Sequence, residues 1–560
     1  MNVMYSTTED KTSERLTDQH LAVQWEIINW NKAEKEVNKL QVRIAKATIN
    51  KKYNEIKRLQ YLLTHSFYAK ALAVRKVTTN KGKNTPGIDN ELWTTSALKM
   101  KAIHSLTDKG YKAKPLRRVY IEKKGNKSKK RPLGIPTMYD RAMQALYTLA
   151  LDPVSESTAD KRSFGFRKRR CAQDACEHIF STLSHKGSAK WILEGDIKGC
   201  FDNINHEWLI QNIPMDKSIL KQFLKAGFIF KGDLFPTEVG SPQGGVISAI
   251  YANMTLDGME KVIEDNYHRC LKGNISKYAK SRQKVYFIRY ADDFVVTALT
   301  PEIAQEAKQL LNEFLSTRGL EMSEEKTLIT NIDDGFDFLG WTFRKFKGKL
   351  IIKPAKKSVQ ALSHDMHETI LKKGKAWSQD FLILKLNQKL NGWVNYHQNV
   401  CAKTTFSHID YILFSQLWRW AKRRHPKKGK HWVANRYWHQ KDTRKWVFSC
   451  DNHKLLKASS TPIIRHIKVR KDANPYIETE YFEKRRVTLG SNKLSGNFKR
   501  VWIKQKGNCI YCKMPLEING DRELLFRKPI ENGGTWAVSN LAYSHKLCDN
   551  EFNRSRPKGL

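Results

Sequence analysis

Two adjacent carboxylates inside a strongly β-forming stretch constrain this chain more than any other feature. The stretch is Val285-Tyr-Phe-Ile-Arg-Tyr-Ala-Asp-Asp-Phe-Val-Val-Thr-Ala298, in which Asp292 and Asp293 separate two apolar runs. This pattern predicts a β-hairpin with both acids at its tip. Two like charges side by side rarely help a strand to fold, whereas a divalent metal ion binds to such a pair.

A third carboxylate, Asp196, ends another apolar stretch, Trp191-Ile-Leu-Glu-Gly-Asp196. Neighbouring strands that carry such acids can hold two Mg²⁺ ions about 4 Å apart, the arrangement used for in-line phosphoryl transfer. Carboxylate oxygens are ligands that suit Mg²⁺. Taken alone, Ala291-Asp-Asp293 is equally compatible with an exposed acidic turn, and the motifs around it favour the metal site.

Length and charge limit the kinds of protein that this chain can be. Its 560 residues are too many for one hydrophobic core, so about three or four domains are expected. The 100 Lys and Arg against 56 Asp and Glu give a net charge of +44, which attracts nucleic acids or anionic surfaces. No apolar run of about 18 residues is present for a bilayer span, so no membrane partner is expected.

The N-terminal residues and the cysteines favour a cytoplasmic location, in a bacterial-type cell or an organelle. The first ten residues are polar and acidic, unlike a signal peptide or an Arg-rich transit peptide. The nine Cys are mostly scattered, which is typical of a reduced protein with one possible metal cluster near the end.

Positive charge is concentrated towards the C-terminal part of the chain. Residues 411–510 hold 25 Lys and Arg against 6 Asp and Glu, a net of +19. Aromatic residues are interleaved there, namely Trp418, Trp420, Trp432, Tyr437, Trp438, Trp446 and Phe448. Because cations neutralise phosphates and flat rings stack on bases, nucleic acid is the favoured partner. A basic surface that only keeps the protein in solution would not need so many Trp.

Hydrophobic spacing gives a coarse order of elements for the first half of the chain. Apolar pairs such as Leu40 with Ile44 predict helices over residues 17–80. A strand at 117–122 leads into a basic loop at 123–131, which suits a triphosphate and equally suits a solvated hairpin tip. Residues 240–251 form a glycine-rich turn that opens a helix, where the backbone can approach an anionic ligand.

The second half continues with a helix at 301–319, an apolar strand at 336–343 and helices over 380–424. Leu386, Leu390, Trp393 and His397 recur at helical spacing, which indicates packing rather than catalysis. Strands and helices alternate, with acids on the central strands. This order predicts an α/β, palm-like arrangement.

Seven short blocks occur in an order that resembles group II intron-encoded reverse transcriptases and maturases, from about residue 35 to the end. They are Thr85-Pro-Gly-Ile-Asp89, Arg131-Pro-Leu-Gly-Ile-Pro-Thr137 with Asp140-Arg141, Ser163-Phe-Gly-Phe-Arg167, Asp196-Ile-Lys-Gly-Cys-Phe201, Ser241-Pro-Gln-Gly244, Tyr290-Ala-Asp-Asp293 and Phe338-Leu-Gly-Trp341. Each block alone is modest evidence, but the seven together are specific. The resemblance implies an RNA-directed DNA polymerase that also binds its intron RNA to promote splicing.

The resemblance also implies roles for the residues that match its motifs. Asp196, Asp292 and Asp293 would coordinate two Mg²⁺ ions. Phe201 would exclude a ribose 2′-hydroxyl, so that dNTPs are the substrates. The nucleotide-binding set would be Lys123, Arg131, Phe201, Gln243 and Lys326. Asp196 and Asp292 should be the stricter requirements, because neighbours in an extended strand point to opposite faces.

The implied fold is a multidomain α/β, right-hand polymerase with fingers and palm, an α-helical thumb or maturase region, a basic DNA-binding region and a small zinc-binding HNH-like domain. The predicted domains are an N-terminal helical extension at 1–84, fingers and palm at 85–350, thumb at 351–430, a DNA-binding region at 431–500 and the HNH-like domain at 501–560. The side chains expected to contact intron RNA or target DNA are Arg419, Arg423, Arg424, Lys427, Lys428, Lys430, Trp432 and Arg436.

The last segment resembles an HNH endonuclease domain. Cys509-x-x-Cys512 and His545-x-x-Cys548 have the spacing of a structural, tetrahedral Zn²⁺ site. Two incidental pairs are the alternative, because His545 stands where a Cys is commoner.

The catalytic positions of that endonuclease family are altered here. Leu525 and Phe526 stand where a His pair would activate water, and Asp549 replaces the last metal-binding His. Since Leu and Phe cannot accept a proton, we expect a degenerate endonuclease that folds but does not cut DNA.

The sequence leaves two other functions open. One is a splicing cofactor that binds RNA and has lost its polymerase activity, and the intact acids with Phe201 and Gln243 argue against it. The other is a reverse transcriptase of a different retroelement. The thumb-like helices followed by a Cys–Cys and His–Cys module argue against that second alternative.

Overall fold

The computed structural model describes residues 18–123, 126–242, 244–270, 274–276, 282–441, 444–451, 453–516, 522–546 and 548–549, without the side chains of 123 and 126–129. Gln243 and the side chain of Lys123 therefore lie outside the described residues. The chain divides into two compact units. Unit 1 comprises Met1–Ala159, Gly199–Asp257 and Arg318–Leu320, and unit 2 comprises Asp160–Lys198, Gly258–Thr317 and Glu321–Leu560.

Unit 1 is rich in helices, which confirms the helical prediction for residues 17–80. Its helices are α1 (Asp18–Glu26), α2 (Trp30–Ile49), α3 (Tyr53–His65), α4 (Phe67–Thr79), α5 (Ser96–Ser105), α6 (Met138–Thr158), α8 (Cys200–Asn203), α9 (His206–Asn212), α10 (Lys217–Leu224) and α11 (Ser248–Leu256). Helix α2 begins after Asn29, whose side chain accepts a hydrogen bond from the Lys32 N–H. Helices α2 and α4 pack on the long helix α6, which forms the centre of this unit.

The sheet of unit 1 has the strand order β2-β1-β4-β5. Its strands are β1 (Leu116–Lys123), β2 (Asn126–Ile135), β4 (Phe228–Phe230) and β5 (Asp233–Phe235). The prediction of a long basic loop at 123–131 is wrong, because β2 already begins at Asn126 and pairs with β1. A run of Lys and Arg is tolerated in β2 since it is an edge strand, and charged edge strands resist unwanted pairing.

The main sheet of unit 2 has the order β6-β7-β3-β8, and every neighbouring pair is antiparallel. Its strands are β3 (Trp191–Asp196), β6 (Tyr286–Tyr290), β7 (Asp293–Ala298) and β8 (Leu328–Asn331). Helices α7 (Ala172–Leu183), α12 (Met259–Tyr267) and α13 (Pro301–Ser316) pack on this sheet. The central strands bury Ile192, Leu193, Val295 and Val296 completely. A mixed α/β core with acids on its central strands is thereby confirmed.

A second sheet of unit 2 corrects the predicted strand at 336–343. The structure divides that stretch into β9 (Phe336–Phe338) and β10 (Trp341–Phe346), followed by β11 (Lys349–Pro354). The chain reverses at Leu339 and Gly340, both with positive φ, and Phe338 pairs with Trp341. The sequence did not predict this turn, because the apolar stretch at 336–343 lacks the Gly-Asn or Asn-Gly pair that is typical of a two-residue hairpin turn.

Helices follow in the thumb-like region, as predicted for residues 380–424. They are α14 (Lys356–His367), a π-helical turn at Glu368–Lys373, α15 (Gln379–His397), α16 (Lys403–Arg424) and α17 (Lys430–Tyr437). Leu386 and Leu390 are fully buried and His397 is buried, so this stripe serves packing. In the part of the chain that the structure describes, no helix is long and apolar enough to span a bilayer.

The C-terminal part of unit 2 contains two hairpins and two helices. They are β12 (Trp438–Lys441) with β13 (Arg444–Phe448), α18 (Thr479–Ser491), α19 (Gly496–Lys504), and β14 (Arg522–Phe526) with β15 (Leu541–His545). Val501 and Trp502 of α19 belong to the same small core as Leu516, Leu541 and Tyr543. The predicted domain boundary at residue 500 falls inside α19. Because Val501 and Trp502 pack with strand β15, the end of this helix belongs with the segment that follows it.

Candidate active site

The acids that the sequence assigns to metal come together at one end of the unit 2 sheet. Asp196, the last residue of β3, lies directly opposite Asp293, the first residue of β7. The predicted hairpin is confirmed: β6 pairs with β7, and Ala291 and Asp292 form the turn between them. Ala291 has a left-handed backbone with φ of 57°.

Asp292 lies in this turn rather than in an extended strand. The alternation of strand neighbours therefore gives no reason to rank Asp292 above Asp293. By strand register, Asp293 is the residue that faces Asp196. That Asp196 and Asp292 are needed more strictly than Asp293 stays a prediction, and the alternation of side chains along a strand does not support it.

The site carries excess negative charge. Burial raises the pKa of Asp293 to about 7, and the carboxylates of Asp292 and Asp196 add to this rise. Lys326 Nζ lies 2.6 Å from Asp196 Oδ2, so the lysine assigned to nucleotide binding is paired here with a carboxylate. Three acids beside one lysine are a donor set that fits divalent cations with oxygen ligands.

This raised pKa leads to a prediction about stability without metal. A carboxyl group whose pKa rises on folding stabilises the protein below its unfolded pKa, and that stability is lost as the pH rises through about 7. In EDTA, the parent should lose about 2 kcal/mol relative to Asp293→Asn between about pH 5 and pH 8. Denaturant titrations at each pH measure the difference, and parallel pH profiles would contradict the prediction.

Residues 160–167 contact Arg289 and the turn that carries Ala291 and Asp292. The Arg289 N–H donates to the Arg162 carbonyl and the Phe164 N–H donates to the Arg289 carbonyl, each at 2.9 Å. A Cβ atom on Gly165 would lie 2.3 Å from the Ala291 nitrogen. Glycine at 165 is therefore required for this segment to contact the turn.

Arg289 is a positioning residue that the sequence pattern did not single out. Its side chain is fully buried, and Nη1 donates to the Ala291 carbonyl at 3.3 Å. Burial raises the pKa of Asp160, and the positive charge of Arg289 opposes that rise. A buried arginine needs such a neighbouring acid. The available signal was a single charge inside the apolar run of β6.

The close contact at Gly165 predicts a loss of activity on substitution. Gly165→Ala should displace the Ala291–Asp292 turn and lower the DNA synthesis that the resemblance implies about 10- to 100-fold, because catalysis depends on positions within about 0.5 Å. Gly187→Ala is the matched control, since a Cβ there meets nothing within 4 Å. Single-nucleotide incorporation assays compare the two variants, and equal activities would show that the turn tolerates the displacement.

Two of the quoted blocks pack on each other in unit 1. Arg141 donates to the carbonyls of Gly82 at 3.1 Å, Thr85 at 2.6 Å and Pro136 at 2.9 Å. A Cβ atom on Gly87 would lie 2.6 Å from the Thr137 Cα. The blocks at 85–89 and 131–141 therefore form one structural element of this unit.

Of the residues assigned to the nucleotide pocket, the structure describes the side chains of Phe201 and Arg131 in unit 1. Phe201 is partly buried on α8, and its carbonyl accepts a hydrogen bond from the Ser241 N–H at 2.7 Å. A Cβ atom on Gly240 would lie 2.5 Å from the Asp202 carbonyl oxygen, so Gly240 packs tightly on α8. Arg131 is exposed on β2, opposite Ile121.

The basic region presents its cations to solvent, but most of its aromatic rings are inside. The predicted contact residues are all exposed: Arg419, Arg423, Arg424, Lys427, Lys428, Lys430, Trp432 and Arg436. The expectation that the aromatics are available to stack on bases is wrong for four of them, because Trp420, Tyr437, Trp438 and Phe448 are buried. Of the seven aromatic residues that the sequence singled out, Trp432 and Trp446 are exposed.

The four predicted zinc ligands form a cluster. The ligand atoms of Cys509, Cys512, His545 and Cys548 all lie within 4.8 Å of one another. His545 Nδ1 is 3.3 Å from Cys512 Sγ and 3.8 Å from Cys548 Sγ. Three thiols and one imidazole at this spacing fit a tetrahedral zinc site.

Leu525 and Phe526, which stand where the resemblance to an HNH domain implies a His pair, lie in β14. Leu525 pairs with Ala542 and Phe526 pairs with Leu541 in the hairpin beside the Cys and His cluster. Phe526 packs edge-on against Trp536, with ring centroids 4.8 Å apart. Phe526 thus contributes to packing, and neither Leu525 nor Phe526 offers a group that can accept a proton.

Three protein-family models match the chain. The model described as reverse transcriptase (RNA-dependent DNA polymerase) matches residues 121–343. The N-terminal domain of reverse transcriptase matches residues 25–106. The group II intron, maturase-specific domain matches residues 359–438.

Curated relatives agree with these matches. The chain is 30% identical over 441 residues to group II intron-encoded protein LtrA of Lactococcus lactis subsp. cremoris, covering 63% of this chain and 72% of that protein. It is 30% identical over 338 residues to protein YkfC of Escherichia coli, covering 54% of this chain and 87% of that protein. A putative COX1/OXI3 intron 1 protein of Saccharomyces cerevisiae is 29% identical over 307 residues, covering 46% and 36% of the two chains.

Proposed function

The chain belongs to the family of group II intron-encoded reverse transcriptases and maturases, and on this premise we propose how its residues act. Asp196, Asp292 and Asp293 hold two Mg²⁺ ions for RNA-templated DNA synthesis. When bound, these ions supply activation of the primer 3′-hydroxyl and stabilisation of the pyrophosphate leaving group. The supporting observation is that Asp196 and Asp293 face each other across β3 and β7.

The chain's own residues then position the reactants. Asp196 and Asp293 fix the place of the ions, while Arg289 and Gly165 hold the turn that carries Asp292. Lys326 neutralises Asp196 before the ions bind, since its ammonium lies 2.6 Å from that carboxylate. Phe201, Gln243, Lys123 and Arg131 contact the incoming dNTP, and Phe201 rejects a ribose.

Primer extension tests this assignment. Purified protein is given a DNA primer annealed to an RNA template, the four dNTPs and Mg²⁺, and we expect extension that stops when EDTA is added. The alternative is an RNA-binding splicing cofactor without polymerase activity. A parent protein that binds RNA and promotes splicing but does not extend the primer would favour that alternative.

We assign the nucleic-acid contacts to the basic surface of the thumb-like helices. The exposed cations of α16 and α17 bind phosphates of the intron RNA and of target DNA, where the intron RNA supplies most of the sequence specificity. Arg424 is the exception in this set, because Nη1 donates to the carbonyls of Lys375 at 3.1 Å and Trp377 at 2.9 Å. It stabilises the helix end as well as carrying charge.

The C-terminal segment is assigned as a zinc-stabilised, HNH-like module that does not cleave DNA. The ribonucleoprotein should produce no protein-dependent cut in a target DNA duplex, because Leu525 and Phe526 replace the groups that activate water. Denaturing gels of end-labelled DNA measure cleavage of each strand. A cut that depends on the protein, and that survives deletion of the intron RNA's reactive end, would contradict this assignment.

A further inference from the structure

A small aromatic pocket of unit 2 lies outside the active site and the Cys and His cluster. Its volume is about 250 Å³, and its walls come from α16, the β12–β13 hairpin and residues 455–457. Phe414, Trp438 and Trp446 contribute rings to these walls. Phe414 is 41% exposed and Trp446 is 60% exposed, whereas rings that only fill a core are usually buried.

The backbone holds Trp446 at the surface. Its φ of 62° lies in the left-handed region, which a bulky aromatic residue rarely adopts. The next two residues, Val447 and Phe448, are buried and anchor the strand. Strained residues of this kind are concentrated at ligand-binding positions, because the surrounding structure must be selected to maintain them.

The rim of the pocket is basic. Arg444, Lys445 and Lys457 are among its lining residues. Asp410 also lines it, but its two carboxylate oxygens accept hydrogen bonds from the N–H groups of Ala458 at 2.7 Å and Ser459 at 3.0 Å. Cations beside flat exposed rings match a nucleobase joined to its phosphates.

We propose that this pocket binds one unpaired nucleobase of a structured RNA, stacked on Trp446 with its phosphates at the basic rim. The inference rests on the RNA-binding part of the proposed function. A volume of about 250 Å³ admits one base. A loop or bulge in RNA presents such a base already unstacked, whereas a DNA duplex must first be opened at an energetic cost.

A pair of RNA hairpins tests the pocket with the full chain. One hairpin carries a single bulged uridine and the other carries an abasic residue at the same place. By fluorescence anisotropy, the parent should bind the uridine hairpin about tenfold more tightly, the scale of stacking one base on one ring. Trp446→Gly removes the ring and suits the left-handed backbone, so it should lose this preference while keeping its fold.

Two further variants separate stacking from general binding. Trp446→Phe should retain most of the preference, because it keeps a flat ring. Tyr411→Ala removes another exposed ring of α16, which does not line the pocket, and should leave the preference unchanged.

Several outcomes would overturn the inference. Equal affinity of the parent for both hairpins would show that the pocket does not bind the bulged base, and another ligand such as a protein side chain would then be its occupant. If Trp446→Gly weakened binding of the uridine hairpin and of the abasic hairpin equally, the Trp446 ring would contribute to RNA binding without recognising the unpaired base. The same preference on a DNA hairpin with a bulged thymidine would overturn the RNA assignment. Failure of the parent to bind either RNA would contradict the proposed function itself.

Discussion

Asp196→Asn should lower the rate of DNA synthesis on an RNA template at least about 1,000-fold, because it removes one metal-binding carboxylate from a site that has three. Asp196 faces Asp293 across two antiparallel strands. Asparagine keeps the size of the side chain but not its charge, and a neutral amide is a poor ligand for Mg²⁺ at a site that must bring two ions together. Single-turnover incorporation of one nucleotide measures the chemical step directly.

The same variant should leave RNA affinity and the promotion of splicing within about twofold of the parent, since neither depends on the carboxylate in the proposed function. Asp334→Asn is the matched control, an exposed acid of the same unit outside the site. Extension by Asp196→Asn at a rate close to that of Asp334→Asn would refute the metal assignment. An equal loss of splicing would refute the separation of the two roles.

The hairpin that carries Asp292 and Asp293 was predictable from sequence because its signals are local. Two β-forming runs flank Ala291-Asp-Asp293, and hairpin formation follows from that short stretch. The alignment of Asp196 with Asp293 is different in kind, because it depends on pairing between strands that are about a hundred residues apart in the chain. The resemblance to known blocks, rather than periodicity, led to that expectation.

The supporting contacts of the turn were not predictable in the same way. Gly165 and Arg289 hold the turn because they contact Ala291. A local sequence pattern cannot predict these contacts, since they depend on how the chain packs. The aromatic residues show the same limit. Trp438 and Trp446 have similar basic neighbours in the sequence, yet Trp438 is buried and Trp446 is exposed. Their directions follow from the hairpin register and the left-handed backbone at Trp446.

Zinc removal should have the second large effect, confined to the C-terminal segment. Among the residues of this segment that the structure describes, the buried members of the core are Val501, Trp502, Cys509, Leu516, Leu541 and Tyr543. So small an apolar core supplies little stability, whereas a structural Zn²⁺ contributes on the order of 10 kcal/mol. Cys512→Ser should therefore abolish zinc binding and make residues near 496–549 at least about tenfold more sensitive to proteolysis.

The control for this experiment is Cys401→Ser, which removes an exposed cysteine outside the cluster. It should retain about one zinc per chain and the parent's resistance to proteolysis. Primer extension should persist in both variants, because Asp196 and Asp293 are held by strands β3 and β7 and not by the C-terminal hairpin. A metal content that is unchanged by Cys512→Ser would rule out the cluster as the zinc site. Full resistance to proteolysis after zinc loss would instead show that packing around Trp502 is sufficient to fold the segment.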